Sequence, residues 1–134
     1  MRNLFLALSL LAGTASAQCG TLAITGPGTA GTDLNVAVTG SSAGGLIVVM
    51  VGQTTGTTTI DIGPLNLTLG LDTPFFPVPL GRADGNGDVA RSFTIPNAIT
   101  QQIALNAQAA AFLLSIFPFN LSACATNVAA FTVG

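Results

Sequence analysis

Leu34-Asn35-Val36-Ala37-Val38-Thr39, a glycine-rich break over 40–45, then Leu46-Ile47-Val48-Val49-Met50-Val51 is the stretch that decides the fold. In its first half apolar residues alternate with polar or small ones, the two-residue period of a strand with one face buried. Its second half is apolar without interruption and only six residues long. That is too short for an ordinary helix and rich in β-branched side chains, as expected of a central strand buried on both faces.

Working outward, the same punctuation continues in both directions. Leu22 and Ile24 alternate ahead of the turn Gly26-Pro27-Gly28. Thr54 to Thr59 reads as a loop or an exposed edge strand, and Ile60 to Leu71 as a further strand with its leucines on one face. Pro74, Pro77 and Pro79 force an extended passage. After Asp84-Gly85-Asn86-Gly87, Val89, Arg91, Phe93 and Ile95 alternate as a strand that stops at Pro96, and Val128 to Val133 supplies a closing strand. Short strands separated by turn residues at this spacing predict an all-β antiparallel sandwich of seven to eight strands. Residues 99–116 are ambiguous. Ala, Gln and Leu favour helix there by propensity, and both periods fit; the need for a partner strand favours a strand.

The N-terminus predicts export. Met1-Arg2-Asn3 is a short positive region, Leu4 to Ala12 is almost wholly apolar, and Ala15-Ser16-Ala17 is a small-residue cleavage site. Residues 1–17 are thus read as a secretory signal peptide and 18–134 as one sandwich domain, with an uncleaved anchor as the rival reading. Lipidation of Cys19 is disfavoured by Gln18 in front of it. The apolar run falls short of the ~20 residues that span a bilayer. No later segment qualifies as transmembrane, because Asn106, Gln108, Ser115 and Pro118 interrupt the one between Ile103 and Phe119.

Only 6% of the chain is charged, against ~25% in ordinary soluble domains. Lys, Glu, His, Trp and Tyr are absent. After residue 17, Arg82 and Arg91 face Asp33, Asp61, Asp72, Asp84 and Asp88, a balance of 2 − 5 = −3. Such a surface cannot neutralise phosphates, which excludes ordinary nucleic-acid binding, and it offers no polybasic attachment to anionic lipid. The two cysteines, Cys19 and Cys124, are expected to pair in an oxidising compartment. The bridge would close a loop of about 105 residues, worth ~4–5 kcal/mol by chain entropy before strain. It requires the first and last strands to lie close together.

In order along the chain stand the Gly26-Pro27-Gly28 turn, the strand Leu46 to Gly52 and a leucine-rich segment ending at Gly70-Leu71. Ala83-Asp84-Gly85-Asn86-Gly87, the step Ile95-Pro96-Asn97, Asn106-Ala107-Gln108-Ala109 and the terminal Asn127 to Gly134 follow. This pattern resembles uncharacterised secreted modules abundant in planctomycetes and related bacteria, in which a D-x-N-G turn, an I-P step and an A-Q-A strand precede a terminal apolar strand. The resemblance implies an immunoglobulin-like sandwich with no established activity, and it carries no site residues over.

Candidate chemistry is sparse. Asp84, Asn86 and Asp88 place oxygens at alternate positions, as at the start of a calcium loop, but Val89 and Ile95 stand where such a loop needs Gly and a bidentate Glu. The preferred reading is a hairpin turn; the alternative is a weak Ca2+ site, the only cofactor the sequence suggests. With no His, Lys, Glu or Tyr, a Ser or Thr nucleophile lacks an ordinary base, so no catalytic residues are assigned. Asn66-Leu67-Thr68 and Asn120-Leu121-Ser122 match the glycosylation sequon, which in a bacterial source is without meaning. Phe75 and Phe76, between Pro74 and Pro77, are candidates for an exposed contact loop, as are Phe112, Phe117 and Phe119, with core packing the preferred reading for most of them. The expected function is that of a secreted or envelope-associated, non-enzymatic structural protein, whose partners are copies of itself or envelope components. The alternative is a module that binds extracellular polysaccharide or calcium.

Overall fold

A computed structural model describes residues 19–62 and 65–134. The expected signal peptide, residues 1–17, lies outside the described residues. Among the described residues nine antiparallel strands run in order: β1 (Thr21–Thr25), β2 (Asp33–Thr39), β3 (Leu46–Gly52), β4 (Thr55–Ile62), β5 (Leu65–Leu71), β6 (Phe75–Arg82), β7 (Val89–Thr94), β8 (Ile103–Ile116) and β9 (Phe119–Val133). They form a three-stranded sheet β1-β2-β7, a four-stranded sheet β6-β3-β8-β9 and a separate hairpin β4-β5. Without that hairpin, seven strands remain in the immunoglobulin-like arrangement of three facing four. The inserted pair is why the count exceeds the seven to eight expected. The single strand expected over Ile60 to Leu71 is in fact the end of β4 and the whole of β5.

The run Leu46 to Val51 explains how three layers form. Its odd-numbered side chains Ile47 and Val49 enter a core with Leu22, Val36, Val38 and Leu80, between the two main sheets. Its even-numbered Val48 and Met50 face the opposite way, into a second core with Leu67, Leu69 and Leu71 of β5. β3 is therefore buried on both faces, as its unbroken apolar sequence requires. Each such fully buried side chain contributes about 1.5–3 kcal/mol.

β8 settles the ambiguity at 99–116. From Ile103 onward the residues form strand, pairing with β3 from Gly52↔Asn106 to Leu46↔Phe112. Ala107, Ala109 and Ala111 point into the main core and Ala110 into the second. Here packing overrides the helix propensity of alanine: short side chains let a strand be covered on both faces without voids. Gln108 is the buried polar exception, 6% exposed. Its side-chain carbonyl accepts from the Gly70 N–H (2.7 Å) and its amide donates to the Thr126 carbonyl (2.7 Å), tying β5 to β9 through β8.

One flank of the sandwich is locked. Cys19 and Cys124 are bonded, with Cα atoms 5.7 Å apart. Beside the bridge the Cys19 N–H donates to the Ala125 carbonyl (3.0 Å), and Asn127 both accepts from and donates to the backbone of Leu22. The first and last strands thus lie together, as the expected bridge demanded. On the opposite flank β6 and β7 approach, and the Arg91 guanidinium donates to the Pro79 carbonyl (3.2 Å) and lies over the Phe93 ring. Pro77 and Pro79 sit in β6, an edge strand, the position in a sheet that tolerates proline.

Candidate functional site

The turn over Asp84 to Asp88 is used structurally. The Asp84 carboxylate accepts the N–H groups of Asn86 (2.8 Å) and Asp88 (3.0 Å) through one oxygen, Oδ1. Asp88 Oδ1 accepts the Gly40 N–H (3.0 Å), and the Gly87 carbonyl accepts both the N–H and the hydroxyl of Ser41. Gly87 has φ 81°, and an added Cβ would collide with the Ser41 backbone, so this position needs glycine. The segment is a turn but not the hairpin expected: β6 pairs with β3 and β7 with β2, so the turn carries the chain from one sheet to the other. Among the described residues no group of three or more His, Cys, Asp or Glu side chains converges as a metal site would require.

The remaining carboxylates are scattered. Asp33 accepts from the Thr94 hydroxyl (2.7 Å) across β2 and β7, and Asp72 caps the neighbouring Thr73 N–H (2.9 Å). Asp61 is exposed on β4. The structure brings none of these together into a pair facing a cleft.

Phe75 and Phe76 do not form a loop. They open strand β6, where Phe75 packs against the second core and Phe76 is 71% exposed. The larger correction concerns Phe117 and Phe119, since core packing is the preferred sequence reading for most of these phenylalanines. They are 94% and 74% exposed. Only Phe112 of that group packs inward, against the second core.

Those rings belong to a projecting arm. β3 accompanies β8 only as far as Phe112. Beyond it, β8 and β9 continue alone as a two-stranded ribbon, from Leu113↔Ser122 through Leu114↔Leu121 to Ile116↔Phe119, with Phe117-Pro118 as the turn, joined by a cis peptide bond. Leu113, Leu114, Ile116, Phe117 and Phe119 are all exposed. A ribbon with no third strand and no covering layer leaves both its faces to solvent, so alternation cannot hide apolar side chains on either one. The contiguous patch is the kind that marks an interaction surface in a soluble protein. It carries no charge at all, since Arg91 is the last ionisable side chain in the sequence.

A second feature lies inside the sandwich. A cavity of about 210 Å³ is lined solely by apolar side chains from seven strands and the start of the following loop, among them Val36, Val49, Leu80, Ile95, Leu105 and Phe131. Ile24, Val51, Val78, Phe93, Leu105 and Phe131 are only half-buried, so the cavity reaches the surface. Its place is the half of the sandwich away from the arm. No pattern in the sequence signals it, because a void between sheets is a matter of side-chain volumes.

Among the described residues no helix is long and apolar enough to cross a membrane. No protein-family model, curated protein or solved structure matches the chain.

Proposed function

We infer that this chain is an exported, non-enzymatic structural protein that acts through the β8–β9 arm, by associating with copies of itself or by attaching to the cell envelope. The observation that carries this reading is the arm's exposure: Phe117 at 94%, Phe119 at 74% and Ile116 at 64%, on a ribbon that, among the described residues, pairs with no further strand. Leaving such side chains in water forgoes about 1.5–3 kcal/mol each, a cost that a contact surface recovers on binding. Export is supported by the signal-like N-terminus and by the Cys19–Cys124 bridge, which suits an oxidising compartment. The resemblance to secreted planctomycete modules belongs to the same proposal. The scattered carboxylates, and the absence of His and Lys from the sequence, favour a role without catalysis.

The test is to follow the native protein into medium, membrane and envelope fractions, beside a variant carrying Phe117→Ser and Phe119→Ser. Retention that resists high salt and is lost in the variant is the expected result. Recovery of both proteins as free monomers in the medium overturns the reading.

A further inference from the structure

The arm and the cavity are complementary features at opposite ends of one molecule. The arm leaves the sheet beyond the Leu46↔Phe112 pair, next to the disulfide at Cys124. The cavity lies around Val51, Leu105 and Phe131 at the other end of the same strands. From Phe117 back to Leu105 along extended β8 is roughly 35–40 Å, so a chain cannot fill its own cavity with its own arm. A second copy can. Apolar cavities of ~150 Å³ accept a benzene molecule, and this one, at about 210 Å³, is larger. Neither surface has a charge to desolvate: the arm has no ionisable residue, and the cavity lining has no polar side chain.

We propose that the aromatic tip of the arm, Phe117 with its neighbour Phe119, inserts into the apolar cavity of another copy of this chain, so that the molecules join head to tail. The proposal rests on the self-association reading above and names its contact. Two observations favour a second copy over other occupants. A bilayer-inserting hairpin is ordinarily anchored by Trp, Tyr, Lys or Arg at the headgroup level, and the sequence has no Trp, Tyr or Lys and no Arg beyond position 91. A small-molecule pocket places a few polar groups to orient its ligand, and this lining offers none. Because the two surfaces differ and lie at opposite ends, each added copy presents a new free arm and a new free cavity. Such a heterologous contact does not close on itself as a two-fold dimer does; it propagates, giving an open filament or a large ring.

The experiment is sedimentation velocity across a concentration series, with two kinds of variant. One removes the arm's apolar tip (Phe117→Asp with Phe119→Asp); the other fills the cavity (Val78→Phe or, should that fail to fold by circular dichroism, Leu105→Phe). The wild-type chain is expected to form progressively longer species, and each variant alone to stay monomeric. An equimolar mixture of the two is expected to give dimers and nothing longer, since only one intact arm meets one open cavity. If the wild type associates but the mixture stays monomeric, or if the tip variant still associates, the arm-in-cavity contact is wrong while self-association stands. If the wild type is monomeric throughout, both fail. In that case flotation with phosphatidylcholine–phosphatidylglycerol vesicles would reassign the arm to a membrane. A second measurement uses the lack of Trp: Phe117→Trp, made in the cavity-filled chain so that it cannot bind its own kind, places a single indole at the tip. Its emission is expected to shift to the blue when excess tip variant, with its open cavity, is added. No shift is expected with a chain carrying both tip and cavity substitutions, and equal shifts with the two would overturn the proposal.

Discussion

Strands β8 and β9 invert the usual distribution of side chains between their two halves. In the inner half, just inside the last pair with β3, the apolar side chains that enter the two cores are Ala107, Ala109, Ala110, Ala111 and Ala125, all buried. In the outer half stand Leu114, Ile116, Phe117 and Phe119, all exposed. Large apolar groups stand in water while the smallest ones fill the interior. The inner half is a middle layer, covered on one face by β1-β2-β7 and on the other by the β4-β5 hairpin, and its alanines pack against Leu22, Val36 and Val38 on the first side and Leu67, Leu69 and Leu71 on the second. The outer half has no layer on either side. The lesson is that one ribbon has two characters, packing material where it is small and exposed apolar surface where it is large.

Four substitutions test that division, in decreasing order of expected effect. Replacing Cys19 and Cys124 together with Ser should cost about 2–5 kcal/mol, read as a lower denaturation midpoint, because the inner half is joined to β1 at Cys124. Next comes Gln108→Leu. It strands the Gly70 N–H and one acceptor site at the Thr126 carbonyl in a buried setting, and each unsatisfied group costs about 1–3 kcal/mol. Urea denaturation with an unchanged slope would report it. Ala109→Leu enlarges a side chain that is fully buried, and overpacking of this kind costs about 1–3 kcal/mol. A cost below that range in thermal denaturation would show the layers to be less closely fitted than described. Smallest is Phe117→Ser, which should change monomer stability by no more than about 0.5 kcal/mol, measured at a dilution where the chain is monomeric. A large loss there would mean that the outer half contributes to the fold, and the division would collapse.

Much of the inner architecture was legible because it depends on pattern. Alternation at Leu34, Val36 and Val38 marked a one-sided strand, and the unbroken run from Leu46 marked a two-sided one. Asp84-Gly85-Asn86-Gly87 marked a turn, and two cysteines allowed one pairing. The arm was misread because exposure is not written in polarity. Phe112 and Phe117 are the same residue five positions apart, yet one packs inward and the other projects, and the difference is only where β3 stops accompanying β8. The β4-β5 insertion was blurred for a related reason. A threonine-rich strand reads as a loop or an exposed edge strand until its partner, with the leucines Leu67, Leu69 and Leu71, is known to cover a core of its own. Phe75 and Phe76 read as loop because three nearby prolines signal irregular backbone, whereas an edge strand accommodates them.

The bridge at the root of the arm has a mechanical meaning. A pull on the arm tip runs along β8 and β9 in the direction of the strands, so the inter-strand hydrogen bonds that anchor them in the sheet are loaded together in shear rather than opened one at a time. On the β9 side that load reaches Cys124 where the arm joins the body, and a covalent link there diverts part of it directly to Cys19 and into β1, the outer strand of the opposite sheet. Tension on this molecule is therefore shared by both sheets from its point of entry, and the two halves of the sandwich cannot be peeled apart from that end without first breaking a bond between sulfur atoms.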